Sequence, residues 1–239
     1  MPEENRENRR LLVSRSTRYL VYDRDFEALQ ERILMGVIAT QKMDQKTQAE
    51  QKDASLSKGE RRRQEIIEAT AELILEGGPS NVTHRKVARR ANCSLSATTH
   101  YFSGLDELLA EGGKLNIKRW SSRAKSVIAE IERQDPPSKM EDRINLILKA
   151  CLPHHDNLEN HYKQLVAASA HPAVANAYGA GRQFLDQAVN SLLKFLGIKA
   201  SANIIIAIID GAAVAAISEG GDVRNNVTRT LREFLEMLA

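Results

Sequence analysis

The sequence predicts an all-α chain in two parts, a small three-helix module followed by a larger helical region. Three observations predict it. Aromatic residues make up only 5% of the 239 residues, while the helix formers Ala, Leu, Glu, Lys, Gln and Arg abound. Apolar residues recur at helical spacing in one segment after another, with breaks at Gly and Pro. Two short segments, 83–91 and 94–102, are separated only by Asn92 and Cys93, so they must turn sharply on each other. A hydrophobic content of 42% supplies a full core.

Residues 1–57 read as an extension and linker. Residues 1–19 are polar and Arg-rich, and 20–39 fit an amphipathic helix with Phe26, Leu29, Ile33 and Val37 at helical spacing. Residues 40–58 lack apolar periodicity and read as a linker or frayed helix. Initiation at Met43 is the alternative reading, and residues 1–42 are expected to be dispensable for the chain's function.

Regular structure begins near Gly59. Ile66, Ile67, Thr70, Leu73 and Ile74 form one face of a first helix that stops at Gly77-Gly78-Pro79. Thr83 suits an N-cap, with Val82 and Val87 as a hydrophobic staple, and the second helix runs to Arg90 or Ala91. Ser94 is the next N-cap and the third helix ends near Phe102. Asn92 tolerates the left-handed turn between them. On the third helix Thr98 and Phe102 point inward, while Leu95, Ser96, Thr99 and His100 point outward.

Six further helices follow: 104–133, 139–152, 155–169, 173–196, 201–219 and 224–238. The fifth of these, "SANIIIAIIDGAAVAAISEGG", is apolar almost all round. The last carries Val227, Leu231, Phe234, Leu235 and Leu238 on one face. The expected boundaries are 1–57 for the extension, 58–103 for the helix-turn-helix module and 104–239 for the larger region.

The net charge of +3 is unevenly placed. Residues 1–57 carry ten basic and ten acidic side chains, 103–239 carry sixteen of each, and 58–102 carry eight against five. The whole excess therefore sits on the three-helix module. No acidic residue occurs from Gly77 to Leu105, whereas Arg85, Lys86, Arg89 and Arg90 fall within six positions. A small, uncharged outward face flanked by cations is a surface suited to a nucleic-acid groove. Cys93 and Cys151 stand far apart, without metal-site or disulfide-framework spacing, which fits a reducing compartment. No run approaches a membrane span and no apolar leader follows the first residues, so the expectation is a cytoplasmic protein with no membrane partner.

Residues 61–110 resemble the DNA-binding domain of TetR-type transcriptional repressors. The resemblance rests on "RRRQEIIEATAELILEGG", "VTHRKVARRANCSLSATTHYF" and "LDELL", in that order and register. It implies a fold of all-α class, an N-terminal helix-turn-helix three-helix module plus a larger α-helical ligand and dimerisation domain. It implies phosphate contacts from Thr83 and Tyr101 and groove contacts from Arg85, Leu95, Ser96, Ala97, Thr99 and His100, with Ser94 capping the recognition helix and His84 in the same interface. Three positions depart from the family pattern: Asn92 replaces a turn glycine, Thr99 a frequent tyrosine, and Leu105 a lysine that binds the DNA backbone.

The implied partners are double-stranded DNA bearing an inverted-repeat operator, a second copy of the chain, and a small-molecule effector. Trp120, His154, His161, Tyr162 and Tyr178 are candidates for an effector pocket. Ile205, Ile209, Ala213, Leu231, Phe234 and Leu235 are candidates for a dimer interface, because the apolarity of the last two helices exceeds what one short domain can bury. Asp210, inside the most apolar helix, is expected at the dimer seam or against a backbone amide, with a cavity-facing position as the alternative. No cofactor and no metal are expected: His154 and His161 share a helix face, but no carboxylate or cysteine completes a site. The competing reading is a small-molecule-handling all-α enzyme with an incidental basic segment. Against it, the sequence has no Gly-rich phosphate loop, no G-x-S-x-G elbow and no paired His/carboxylate constellation.

Overall fold

The computed structural model describes residues 57–153 and 158–238. The amphipathic segment 20–39 and His154 lie outside the described residues. Among those described there are nine α-helices and no strand: α1 Lys58–Gly77, α2 His84–Arg90, α3 Leu95–Tyr101, α4 Leu105–Ile131, α5 Met140–Cys151, α6 Leu158–Ala167, α7 Pro172–Phe195, α8 Ala202–Ser218 and α9 Val223–Met237. Short 3₁₀ turns at Pro79–Asn81 and Ala168–Ala170 precede α2 and α7. Arg62–Ala239 form one compact unit. Just ahead of it, Ser57 and Glu60 form a reciprocal capping box: the Glu60 amide donates to Ser57 Oγ at 3.2 Å and the Ser57 amide to Glu60 Oε2 at 2.9 Å.

Two apolar clusters organise the compact unit. The first gathers Ile66, Ile74, Val82, Val87, Phe102 and Leu108, closed by Ala168 and Val174. The second lies among α4–α9 and includes Val127, Ile147, Leu192, Ile205, Ile209 and Leu231. The long helix α4 contributes to both.

Helix α4 can approach its neighbours closely because of glycines. A Cβ on Gly112 would stand 2.8 Å from Thr70 Cγ2 and 3.1 Å from the Ala71 amide nitrogen of α1. On α7, a Cβ on Gly181 would stand 2.4 Å from Ile117 Cγ2. Neither site has room for a side chain.

Helices α8 and α9 correct one expectation. Ile205, Ile209, Ala213, Leu231 and Leu235 are each at most 3% exposed within their own chain. Phe234 is half-buried and packs on the same core. Surface already covered has nothing left to bury, so those five are core residues and not interface residues. The apolar face that α8 turns outward is a different one: Ile204, Ala207, Gly211 and Val214, followed by Ser218, spaced at three and four. At the end of α9, Met237 and Leu238 are also exposed.

Candidate functional sites

Local chemistry shapes the turn between α2 and α3. Thr83, extended at φ −142°, caps α2 by accepting from the Lys86 amide at 3.2 Å. Ser94 caps α3 by accepting from the Ala97 amide at 3.2 Å. Between them Asn92 has φ 46°, the left-handed conformation the turn requires, and no other non-glycine among the described residues has positive φ. The Cys93 amide then returns to the Ala88 carbonyl at 2.9 Å.

A side-chain bond fixes how the two helices cross. The Thr98 hydroxyl lies 2.8 Å from the Leu95 carbonyl and 3.0 Å from His84 Nδ1, tying α3 to the start of α2. From α1, Arg62 donates to the Ala91 carbonyl at the end of α2 at 3.3 Å. The guanidinium of Arg63 stacks over the buried Phe102 ring at 5.0 Å.

Held this way, α3 exposes Ser94, Leu95, Ser96, Thr99 and His100, while Ala97 and Tyr101 are half-buried against the module core. Leu95 is 46% exposed, an apolar contact at the front of the face. The His100 and Tyr101 rings meet edge to face at 4.9 Å.

The four clustered cations divide into two kinds. Arg90 is bound to Glu76 at 2.7 Å and Glu72 at 3.0 Å, and it holds the Glu76 carboxyl below its ordinary value. Lys86 donates to Asn81. Arg85 and Arg89 are exposed and have no ion pair or hydrogen bond among the described residues. These two set the positive field beside α3. Cys93 is half-buried, and burial raises its thiol, which keeps it neutral. Leu105, in the position of the missing lysine, is half-buried and packs on the module core.

A second site lies within the larger region. A cavity of about 210 Å³ opens among α4–α8, lined by Trp120, Arg123, Cys151, His161, Tyr178, Arg182 and Asp210 with an apolar remainder. Of the expected pocket residues, Trp120, His161 and Tyr178 line it. Tyr162 is 2% exposed and does not line the cavity, and its hydroxyl draws the Asp210 carboxyl down. The Trp120 ring meets His161 edge to face at 5.0 Å and Tyr178 at 5.0 Å. Tyr178 donates to Gln164 Oε1 at 2.8 Å.

Asp210 takes the alternative position, in the wall of the cavity. Burial pushes its carboxyl up to about 6, against the pull of Arg182 and the Tyr162 hydroxyl. Arg123, Cys151 and Arg182 were not singled out from sequence. Arg123 carried a readable signal, since it falls on the same face of α4 as Trp120, Ala124 and Val127, where a cation is out of place. Two of the titratable groups here are neutral at neutral pH. Burial pushes the Cys151 thiol up to about 12 and the His161 imidazole down to about 4. The cavity is thus chemically suited to hold a molecule.

Known proteins match along the same division. Residues 66–111 match the model of bacterial regulatory proteins, tetR family. The HTH-type transcriptional regulator PksA of Bacillus subtilis is 44% identical over 68 residues, 28% of this chain and 33% of PksA. The chain thus aligns with only about a third of that relative's length. A transcriptional regulator from Rhodococcus sp. Rha1 superposes with a TM-score of 0.55 at 20% identity, covering 74% of this chain and 95% of that one. The multidrug binding protein EbrR complexed with proflavin gives 0.53 at 22% identity, covering 74% and 99%. At those identities the superpositions show a shared fold. Residues 66–111 thus match the DNA-binding segment of tetR-family regulators, and the helices of the chain share the fold of these solved structures.

Proposed function

We propose that this protein is a sequence-specific transcriptional regulator, a repressor that leaves an inverted-repeat operator when a small molecule fills its cavity. One observation carries the DNA reading. Helix α3 presents a small, uncharged face of Leu95, Ser96, Thr99 and His100, flanked by Arg85 and Arg89, the two cluster cations without a partner among the described residues. Such a face can enter a major groove, where the cations neutralise phosphates and the small side chains reach base edges. Thr83 and Tyr101 are placed at the ends of α2 and α3 for the backbone.

The protein acts as a homodimer. The outward stripe of Ile204, Ala207, Gly211 and Val214 on α8, with Met237 and Leu238 at the end of α9, supports a two-fold contact that would bring two α3 helices to successive grooves. The cavity supports effector control, because α4 both lines it and packs in the module core. A ligand would release DNA by preferring a spacing of the two modules that mismatches the operator.

The test is selection of bound fragments from genomic DNA by the purified protein. The reading predicts recovery of an inverted repeat with half-sites about one helical turn apart, or somewhat more. Fragments sharing no motif would contradict it.

A further inference from the structure

Arg123 is a cation set into the cavity wall without an anion. Its guanidinium has five donors, and two of them reach the Ala150 and Cys151 carbonyls, both at a long 3.4 Å. Those carbonyls belong to the last turn of α5, so Arg123 caps a helix end but meets no carboxylate among the described residues. Burial holds the group below its ordinary value, with only the Cys151 thiol and the Tyr162 phenol as weak counterweights. The cavity's other charges are already matched. Arg182 donates to Asp186 at 2.7 Å, and Asp210 is set against Arg182 and the Tyr162 hydroxyl.

We infer that the cavity takes a small organic anion, its carboxylate or equivalent oxyanion held by Arg123 and its flat apolar body lying against Trp120 and Tyr178. This rests on the effector reading above and names the chemical class of the effector. A carboxylate would accept from the unused guanidinium donors in a two-pronged contact and cancel a buried charge that has no partner. The aromatic pair supplies flat apolar surface, and Ile117, Leu165, Leu185 and Ile206 complete the apolar lining. At about 210 Å³ the cavity is smaller than the roughly 300–1,000 Å³ typical of drug-sized ligands, so the occupant is small. A cation is the competing occupant, drawn by Asp210 and the rings, but it would have to enter beside two guanidiniums.

Trp120 is the single tryptophan of the chain and lines the cavity, so its fluorescence reports occupancy directly. Three probes of one shape separate the possibilities: para-isopropylbenzoate, para-isopropylbenzamide and para-isopropylbenzylammonium, each titrated into the full-length protein at pH 7. The expected result is saturable quenching by the carboxylate at an affinity at least about tenfold tighter than either other probe, a preference that Arg123→Gln removes and Arg182→Gln retains. If the ammonium binds tightest, the anion assignment falls while the effector reading stands. If the carboxylate preference survives Arg123→Gln, the assignment to Arg123 falls. If no probe changes Trp120 emission up to millimolar concentration, both the anion and the effector readings fall. The comparison of the three probes on the unmodified protein holds even if a variant fails to fold.

Discussion

Asn116, on the buried side of α4, donates its side-chain amide to the Ala71 carbonyl of α1 at 3.1 Å. Asn116 Oδ1 has no protein partner within bonding distance, and neither has the Gln164 side-chain amide nitrogen. The Tyr178 hydroxyl donates to Gln164 Oε1 at 2.8 Å and is influenced by Asn116 as well, while Tyr178 lines the cavity. A ligand that shifts Tyr178 therefore acts on a polar cluster one bond away from the first helix of the DNA module. Asn116→Leu should leave operator affinity within a few-fold but cut ligand-induced release, a coupling worth typically 1–3 kcal/mol. Operator titrations with and without saturating ligand measure it; an unchanged coupling would remove Asn116 from the route.

Gly112 tests the packing of α4 on α1. A Cβ there meets Thr70, Ile74 and the Ala71 amide nitrogen at 2.8–3.1 Å, and backbone cannot swing aside as a side chain can. Gly112→Ala should therefore destabilise the fold by about 1–3 kcal/mol despite the better helix propensity of alanine. Thermal melts would show a lower Tm, and an unchanged or higher Tm would contradict the close approach.

Asp210 gives the protein a pH signature. Its carboxyl is raised from 3.8 to about 6, so the folded chain binds a proton more readily than the unfolded chain across that window. Stability from this group is fully present below the lower value and is lost as pH rises through the upper one. The groups facing it are Arg182 on α7, Tyr162 on α6 and Cys151 on α5, and burial pushes the Tyr162 phenol and the Cys151 thiol far above that range. Asp210→Asn should stabilise the protein at pH 7.5 by at most about 3 kcal/mol, with the gain vanishing toward pH 4. Denaturant midpoints across that range check it; a gain independent of pH would mean the effect is packing alone.

The two sides of α8 make opposite predictions. Ile204→Glu with Val214→Glu changes only exposed positions, so it should split the dimer and leave helicity intact. Leu235→Glu would bury a charge in the core and unfold the chain instead. Sedimentation and circular dichroism separate the outcomes, and a double variant that stays dimeric would move the interface elsewhere.

Which features were legible follows from how local their causes are. The caps at Thr83 and Ser94, the left-handed Asn92 and the inward Thr98 depend on neighbours a few residues away, so the module could be read in detail. Helix limits were set by glycine and proline punctuation and fall within a few residues of those expected. The burial of α8 was not legible. A helix apolar on all sides has no pattern to say which side its own chain covers, and this left both the interface residues and the choice among the positions open to Asp210 unreadable. Gly112 and Gly181 carried no warning either, because what makes them necessary is another helix. Arg90 and Arg89 look alike in sequence, yet one is neutralised by Glu72 and Glu76, from the first helix, and the other is not.

The central claim is that α3, flanked by Arg85, reads base edges. The direct measurement is a salt titration of the unmodified protein and Arg85→Ala on the selected operator and on a scrambled duplex of equal length. The account predicts that the unmodified protein prefers its operator by at least about 10³-fold. It also predicts that Arg85→Ala costs about 1–3 kcal/mol per half-site on the operator and much less on the scrambled duplex. Equal losses on both duplexes, with a shallower salt slope, would make Arg85 a phosphate clamp and contradict the claim.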